Sequence, residues 1–255
     1  MPERAERNHR LSRQLLAEFT GSASLVAVVV GSGIAAAQLS PNDVGLQLLE
    51  NSTATVLGLA VLILLFGPVS GAHFNPVVSL ADWLLHRRSG TGMAVKALLS
   101  YVLVQVVGAI CGGLLANAMF DRRIVELATK HRVTPGHLLG EVVATAGLIA
   151  LIFVLARTGR AALSAAAVGA YIGAAYWFTS STSFANPAVT VGRMFSDSFA
   201  GIAPDSVLPF IAAQMIGGAV GLALAVILYS DVTRTADDAV VPHGATAITS
   251  EESPR

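Results

Sequence analysis

Long apolar runs alternate with short polar interruptions along the chain, and the runs set the architecture. Six stretches, 15–38, 53–70, 95–119, 138–157, 161–179 and 207–230, come close to the roughly 20 apolar residues a helix needs to cross a bilayer. After the second run, and again after the fifth, an Asn-Pro pair opens an apolar segment of only about ten residues, too short to span. Asn favours the N-cap of a helix, and Pro favours the first helical position, where its fixed φ and missing N–H cost nothing. Asn75-Pro76 and Asn186-Pro187 therefore predict two short helices, over 76–86 and 187–196, that dip into the membrane and return. The preceding stretches, Gly71 to Phe74 and Ser180 to Ala185, are predicted to be non-helical at membrane depth. Such backbone is tolerated only where it is buried in protein or lines a watery cavity.

Comparing the chain with itself sharpens this pattern. Residues 17–26, AEFTGSASLV, match 140–149, GEVVATAGLI, which sets Glu18 opposite Glu141. Residues 66–79, FGPVSGAHFNPVVS, match 178–190, FTSSTSFANPAVT, and 105–113, QVVGAICGG, match 214–222, QMIGGAVGL, with Gln105 opposite Gln214. Each half holds an odd number of spans, three, so the second half sits inverted relative to the first. The predicted fold is an all-α integral membrane protein with six transmembrane helices and two re-entrant half-helices in an inverted 3+3 repeat. A single domain covers 1–230, with repeat halves at 14–120 and 138–230, and a polar tail at 231–255 is expected to be disordered. The N-terminal dipole ends of the two half-helices would meet midway, giving a positive region without an ionised side chain.

Composition agrees with a membrane setting: 54% hydrophobic, 13% charged and a mean hydropathy of +0.66 are too apolar for a soluble domain. The first run follows Arg4, Arg7, Arg10 and Arg13 as a secretory leader would, but Glu18, the length of the run and its place in the repeat argue for a retained span. With the termini on one side, eleven Lys/Arg fall on that side and five on the other, which predicts cytoplasmic termini for a multi-pass cell-membrane protein. A net charge of zero gives no reason to expect a nucleic-acid partner. The single cysteine, Cys111, is expected to be a small buried hydrophobe. No nucleophile–base set, metal-ligand spacing or phosphate-binding loop is present, so neither catalysis nor a metal nor a cofactor is expected. Gly108/Gly112, Gly169/Gly173 and Gly217/Gly221, each pair four apart, read as sites of close helix packing.

Glu18, SGAHFNP at 70–76, Glu141, NPA at 186–188 and the paired Gln-bearing helices together resemble the aquaporin (major intrinsic protein) family, from about 14 to 230. The resemblance implies a homotetramer of six-helix channels in the lipid bilayer, one pore per subunit, passing water and small uncharged solutes. Asn75, Pro76 and Val77, and Asn186, Pro187 and Ala188, stand where the family carries its two pore motifs. Val77 is bulkier than the usual Ala and reads as a packing variant compensated by its neighbours. The family's outer constriction usually has an Arg three residues after the second Asn, and here that position is Val189. By family spacing the other filter positions fall on Thr55, Ala174 and Ser183, a ring that would be small, uncharged and free of aromatics.

Losing the Arg removes several donors and a fixed charge. The implied filter is wider, open to glycerol-like polyols, urea and uncharged metalloid hydroxides such as arsenite. A strict water channel, and an inverted-repeat secondary transporter, are the alternatives. Glu18 and Glu141 lie deep in apolar spans, as a proton relay or as acceptors for the loop N–H groups; one per half favours the second. By the family pattern His73 lines the pore on the cytoplasmic side, as a titrating gate or as a structural histidine. Arg193 either returns a charge to the pore or, the preferred reading, faces away from it or pairs with Asp197, four residues on. His86, Arg87 and Arg88 read as a topology and lipid-contact cluster.

Overall fold

A computed structural model of the chain describes residues 2–87 and 93–229, with side chains from His9 onward. Arg88 and the tail at 231–255 lie outside the described residues. Eight α-helices occur among those described, in the order α1 (Pro2–Leu39), α2 (Val44–Ser70), α3 (Pro76–His86), α4 (Val95–Met119), α5 (Pro135–Arg157), α6 (Ser164–Phe178), α7 (Pro187–Arg193) and α8 (Pro204–Leu228). One 3-10 turn, Ala161–Leu163, leads into α6. Among the described residues six helices are long and apolar enough to cross a membrane, α6 counted with the 3-10 turn before it as Ala161–Phe178, and α3 and α7 are the two short ones.

With each span running opposite to the one before, the chain reaches α3 from the face where α1 starts and α7 from the opposite face. Helix α3 fills its predicted range, whereas α7 stops at Arg193 rather than continuing to 196. Past Arg193 the chain tightens into turns, with Met194 N–H donating to Val191 O at 3.2 Å and Phe195 N–H to Gly192 O at 3.2 Å.

The inverted repeat is visible in the packing. Helix α1 lies against α4 as α5 lies against α8, and α2 against α6 joins the halves. Both intra-half contacts are glycine-mediated: a Cβ built on Gly112 would stand 2.1 Å from the Ala23 carbonyl, and one on Gly221 2.2 Å from that of Ala146. Such distances forbid any side chain, because backbone meets backbone there. The outward faces stay apolar, with Leu57, Val61 and Leu64 of α2 and Leu208 and Ile227 of α8 exposed as lipid contact requires. Cys111 is among these exposed residues rather than buried as expected. Gly112 and Gly113 beside it turn their faces inward, toward α1 and α7, which leaves residue 111 pointing out.

Candidate functional site: a pore between two facing half-helices

Each half-helix begins on its asparagine. Asn75 (φ −150°, ψ 117°) and Asn186 (φ −160°, ψ 113°) are extended, and both are followed by Pro at the first helical position. The Asn75 side-chain oxygen accepts from Val77 N–H at 3.0 Å, and that of Asn186 accepts from Ala188 and Val189 N–H at 2.9 and 3.2 Å. Caps of this kind contribute about 1 kcal/mol each. The amide nitrogens reach across the repeat: Asn75 Nδ2 donates to Ala185 O and Asn186 Nδ2 to Phe74 O, both at 2.8 Å. One N–H of each amide is spent in this reciprocal link, and the second remains for the cavity that both side chains line.

The loops that deliver the asparagines are strained in the same places. Ala72 and Phe74 have φ of 49° and 47°, and Ser183 and Ala185 have φ of 48° and 47°, at matching offsets before Asn75 and Asn186. Left-handed backbone at non-glycine residues costs roughly 1–3 kcal/mol each and persists only where the surroundings hold it. Here two fully buried carboxylates hold it. Glu18 Oε1 accepts from Ser70 Oγ at 2.6 Å and His73 N–H at 3.0 Å, and its Oε2 accepts from Phe74 N–H at 2.8 Å and Gln105 Nε2 at 2.7 Å. Glu141 Oε1 accepts from Phe184 N–H at 2.9 Å, and its Oε2 from Ala185 N–H at 2.9 Å and Gln214 Nε2 at 2.6 Å. Each Gln also reaches a hydroxyl one turn into the half-helix, Ser79 or Thr190, at 2.9 Å. With their N–H groups fixed this way, the carbonyls of Ala72, His73, Ser183 and Phe184 accept no hydrogen bond from a described residue, and all four residues line the cavity.

That cavity measures about 60 Å³. One wall is apolar, made by residues four apart on the spans: Leu25 and Val29 of α1, Leu148 and Ile152 of α5, Leu59 and Ile63 of α2. The loop residues Ala72, His73, Ser183 and Phe184 and the two asparagines join the lining, as do Thr55 and Val189. Ser183 Oγ is buried without a hydrogen-bond partner. His73 Nδ1 is 3.1 Å from Ser79 Oγ, and its ring stands edge-on to Tyr101. Pro76, Val77, Pro187 and Ala188 are buried in the half-helices themselves. Val77 is accommodated by Gly218 of α8, where a Cβ would fall 2.3 Å from Val77 Cγ1.

Two residues depart from the sequence expectation. Ala174 is exposed on α6 and does not line the cavity; Tyr176 does, with its hydroxyl 3.2 Å from Thr55 Oγ1. Two positions along a helix are about 200° apart, so the two side chains face opposite ways. Arg193 does not pair with Asp197. The Asp197 carboxylate accepts instead from Thr129 N–H at 3.0 Å and Thr129 Oγ1 at 3.1 Å, while Arg193 lines the cavity, 2% exposed. Its Nε donates to Ala200 O at 2.5 Å, and its guanidinium carbon lies 3.4 Å from the centre of the Phe184 ring. The lining therefore includes aromatics, Tyr176 and Phe184, and one cation.

The sequence profile of the family described as Major intrinsic protein matches residues 5–184. The aquaglyceroporin AqpS of Rhizobium meliloti (strain 1021) is 46% identical over 214 residues, covering 84% of this chain and 89% of that protein. The glycerol uptake facilitator protein of Pseudomonas aeruginosa is 34% identical over 123 residues, 48% of this chain and 41% of that one. Among solved structures, the aquaglyceroporin of Plasmodium falciparum superposes with a TM-score of 0.61 at 18% identity, over 87% of this chain and 96% of that one, a likeness of fold. The mirrored half-helices and these matches have one reading: the chain is a member of the major intrinsic protein family, a multi-pass membrane channel and not an enzyme.

Proposed function

We propose that this channel carries glycerol and other small uncharged polyhydroxy solutes, together with water, passively down their gradients. The observation that carries the reading is the mixed lining, in which apolar side chains of the spans stand with the two Asn side chains and with loop residues whose carbonyls accept nothing from a described residue. A polyol offers both kinds of surface, a carbon backbone and hydroxyls, and each hydroxyl both donates and accepts. The names of the relatives, an aquaglyceroporin and a glycerol uptake facilitator, support the same solute class. Thr55, Tyr176, Ser183 and Val189 set the size limit in this reading, and Val189 leaves room that an Arg would occupy. Arsenite, an uncharged hydroxide of glycerol-like shape, is the next solute to try. Cytoplasmic termini and a homotetramer complete the proposal, the first on the loop charges and the second on the family resemblance.

Proteoliposomes shrunk with an impermeant osmolyte and then placed in glycerol test it by light scattering. Fast shrinkage followed by fast reswelling, unaltered by an imposed proton gradient, is expected. Shrinkage without reswelling would leave a strict water channel. Saturable uptake driven by the proton gradient would mean a coupled transporter, in which Glu18 and Glu141 would have to exchange protons rather than hold loop amides.

A further inference from the structure

The half-helix α7 presents Val189 and Arg193 four residues apart, hence on one face. Helical side chains lean toward the N-terminus of their helix, so a long one covers the turn before its own. Arg193 borders the cavity, and its guanidinium carbon lies 3.4 Å from the centre of the ring of Phe184, which borders it too. Val189, one turn earlier, borders the same cavity with a short apolar side chain.

Only Nε of Arg193 has a hydrogen-bond partner among the described residues, the Ala200 carbonyl. The terminal nitrogens have none, and the residue borders the cavity. Neither Arg193 nor Arg132, the neighbour on Phe184 at 5.1 Å, forms an ion pair among the described residues. Arg132 is itself tied to backbone, Nε to Gly201 O at 2.8 Å and Nη2 to Phe199 O at 3.1 Å. Lys130, beyond it on the 120–134 segment, is pushed down to about 8 by burial and by Arg132 and Arg193. Three cations thus gather near α7 and the 120–134 segment, and one of them, Arg193, borders the cavity.

We infer that Arg193 is the specificity-determining cation of this pore. It supplies from the second turn of α7, at a residue that borders the cavity, the fixed charge and the terminal N–H donors that Val189 omits from the first. A positive group in a narrow, weakly solvated passage repels cations that would otherwise follow the row of carbonyls inward. It lets a neutral solute pass, because its N–H groups can hydrogen-bond a hydroxyl in transit. The inference rests on the cavity being the conduction path, and its readout is ion leak rather than glycerol flux.

Vesicles containing wild type, Arg193→Ala, Arg193→Gln and Arg193→Lys are loaded with potassium- and chloride-sensitive dyes, and glycerol reswelling is recorded on the same batches. Potassium entry is expected to rise at least about tenfold in Arg193→Ala and Arg193→Gln with no matching rise in chloride, and to stay near wild type in Arg193→Lys. Arg193→Gln keeps a donor for the Ala200 carbonyl, so it carries the test if Arg193→Ala does not assemble. Potassium entry at the wild-type level in Arg193→Gln, or an equal rise in potassium and chloride, overturns the inference. Absence of glycerol reswelling in wild type would remove the proposed solute while leaving the ion comparison readable.

Discussion

The two Asn-Pro sites are built alike and lined differently. Counting from each Asn, the residue before it gives its carbonyl to the opposite amide, and the two residues before it give their N–H groups to a buried Glu. The hydroxyl four residues after it meets the Gln of the last helix in that half. Every one of these contacts appears twice. The lumen, by contrast, has Ala72, His73 and Val78 on the first site and Ser183, Phe184 and Val189 on the second. Seven residues after the Asn the contrast is one of charge. Asp82, paired with His86 Nδ1 at 3.0 Å, stands outside the cavity lining in the first half, and Arg193 stands inside it in the second. On the function proposed above, scaffold and selectivity are separable: the inverted pair sets the position of the backbone, and the side chains of the second site are proposed to set what passes it.

The largest expected effects strike the shared scaffold. Glu18→Ala strips partners from four donors and Glu141→Ala from three, and each buried donor left unpaired costs about 1–3 kcal/mol. Both variants should lose most monodisperse protein in detergent, Glu18→Ala the more; a stable Glu18→Ala channel would break the idea that the carboxylates hold the loops. Next come Asn75→Ala and Asn186→Ala, which each remove a cap and one cross-repeat link, together about 2 kcal/mol. Thermal midpoints should fall by similar amounts in the two, and a large difference would mean that the halves do not share the load. Gly218→Ala should destabilise by about 1–3 kcal/mol through its clash with Val77. Val77→Ala should restore the midpoint in the double variant, a coupling that independent sites would not show. Smallest is Tyr176→Phe, which removes a single contact to Thr55 and should shift stability by about 1 kcal/mol or less. The matched control Ala174→Leu, on the exposed face, should leave the ratio of glycerol to water permeability unchanged.

The fold was legible in the chain because its signals are repeated and local: six apolar runs, two Asn-Pro starts and matched segments in the same order. What escaped were the residues whose placement depends on where a helix stops. Ile63 lines the cavity twelve residues before Asn75, but in the second half Tyr176 does so ten residues before Asn186. A fixed count back from Asn186 therefore arrived at Ala174, on the wrong face. The four-residue stripe Val168, Ile172, Tyr176 was the signal that could have found it. Arg193 departs from expectation for a related reason, since an i,i+4 pair with Asp197 needs a helix running through both, and α7 ends at Arg193. The side of α4 on which Cys111 lies depends on which glycines meet α1, a tertiary fact with no local mark.

Val78 and Val189 occupy the same offset after Asn75 and Asn186 and both border the lumen, which makes them the cleanest test of a symmetric scaffold with one-sided selectivity. The measurement is the ratio of glycerol to water permeability in proteoliposomes for Val78→Leu and Val189→Leu, read against wild type. One methylene in a tight apolar site is worth roughly 1–3 kcal/mol of discrimination. The ratio should therefore drop about tenfold or more in Val189→Leu and less than about twofold in Val78→Leu. Equal drops, or a larger one in Val78→Leu, would contradict the assignment of selectivity to the second site.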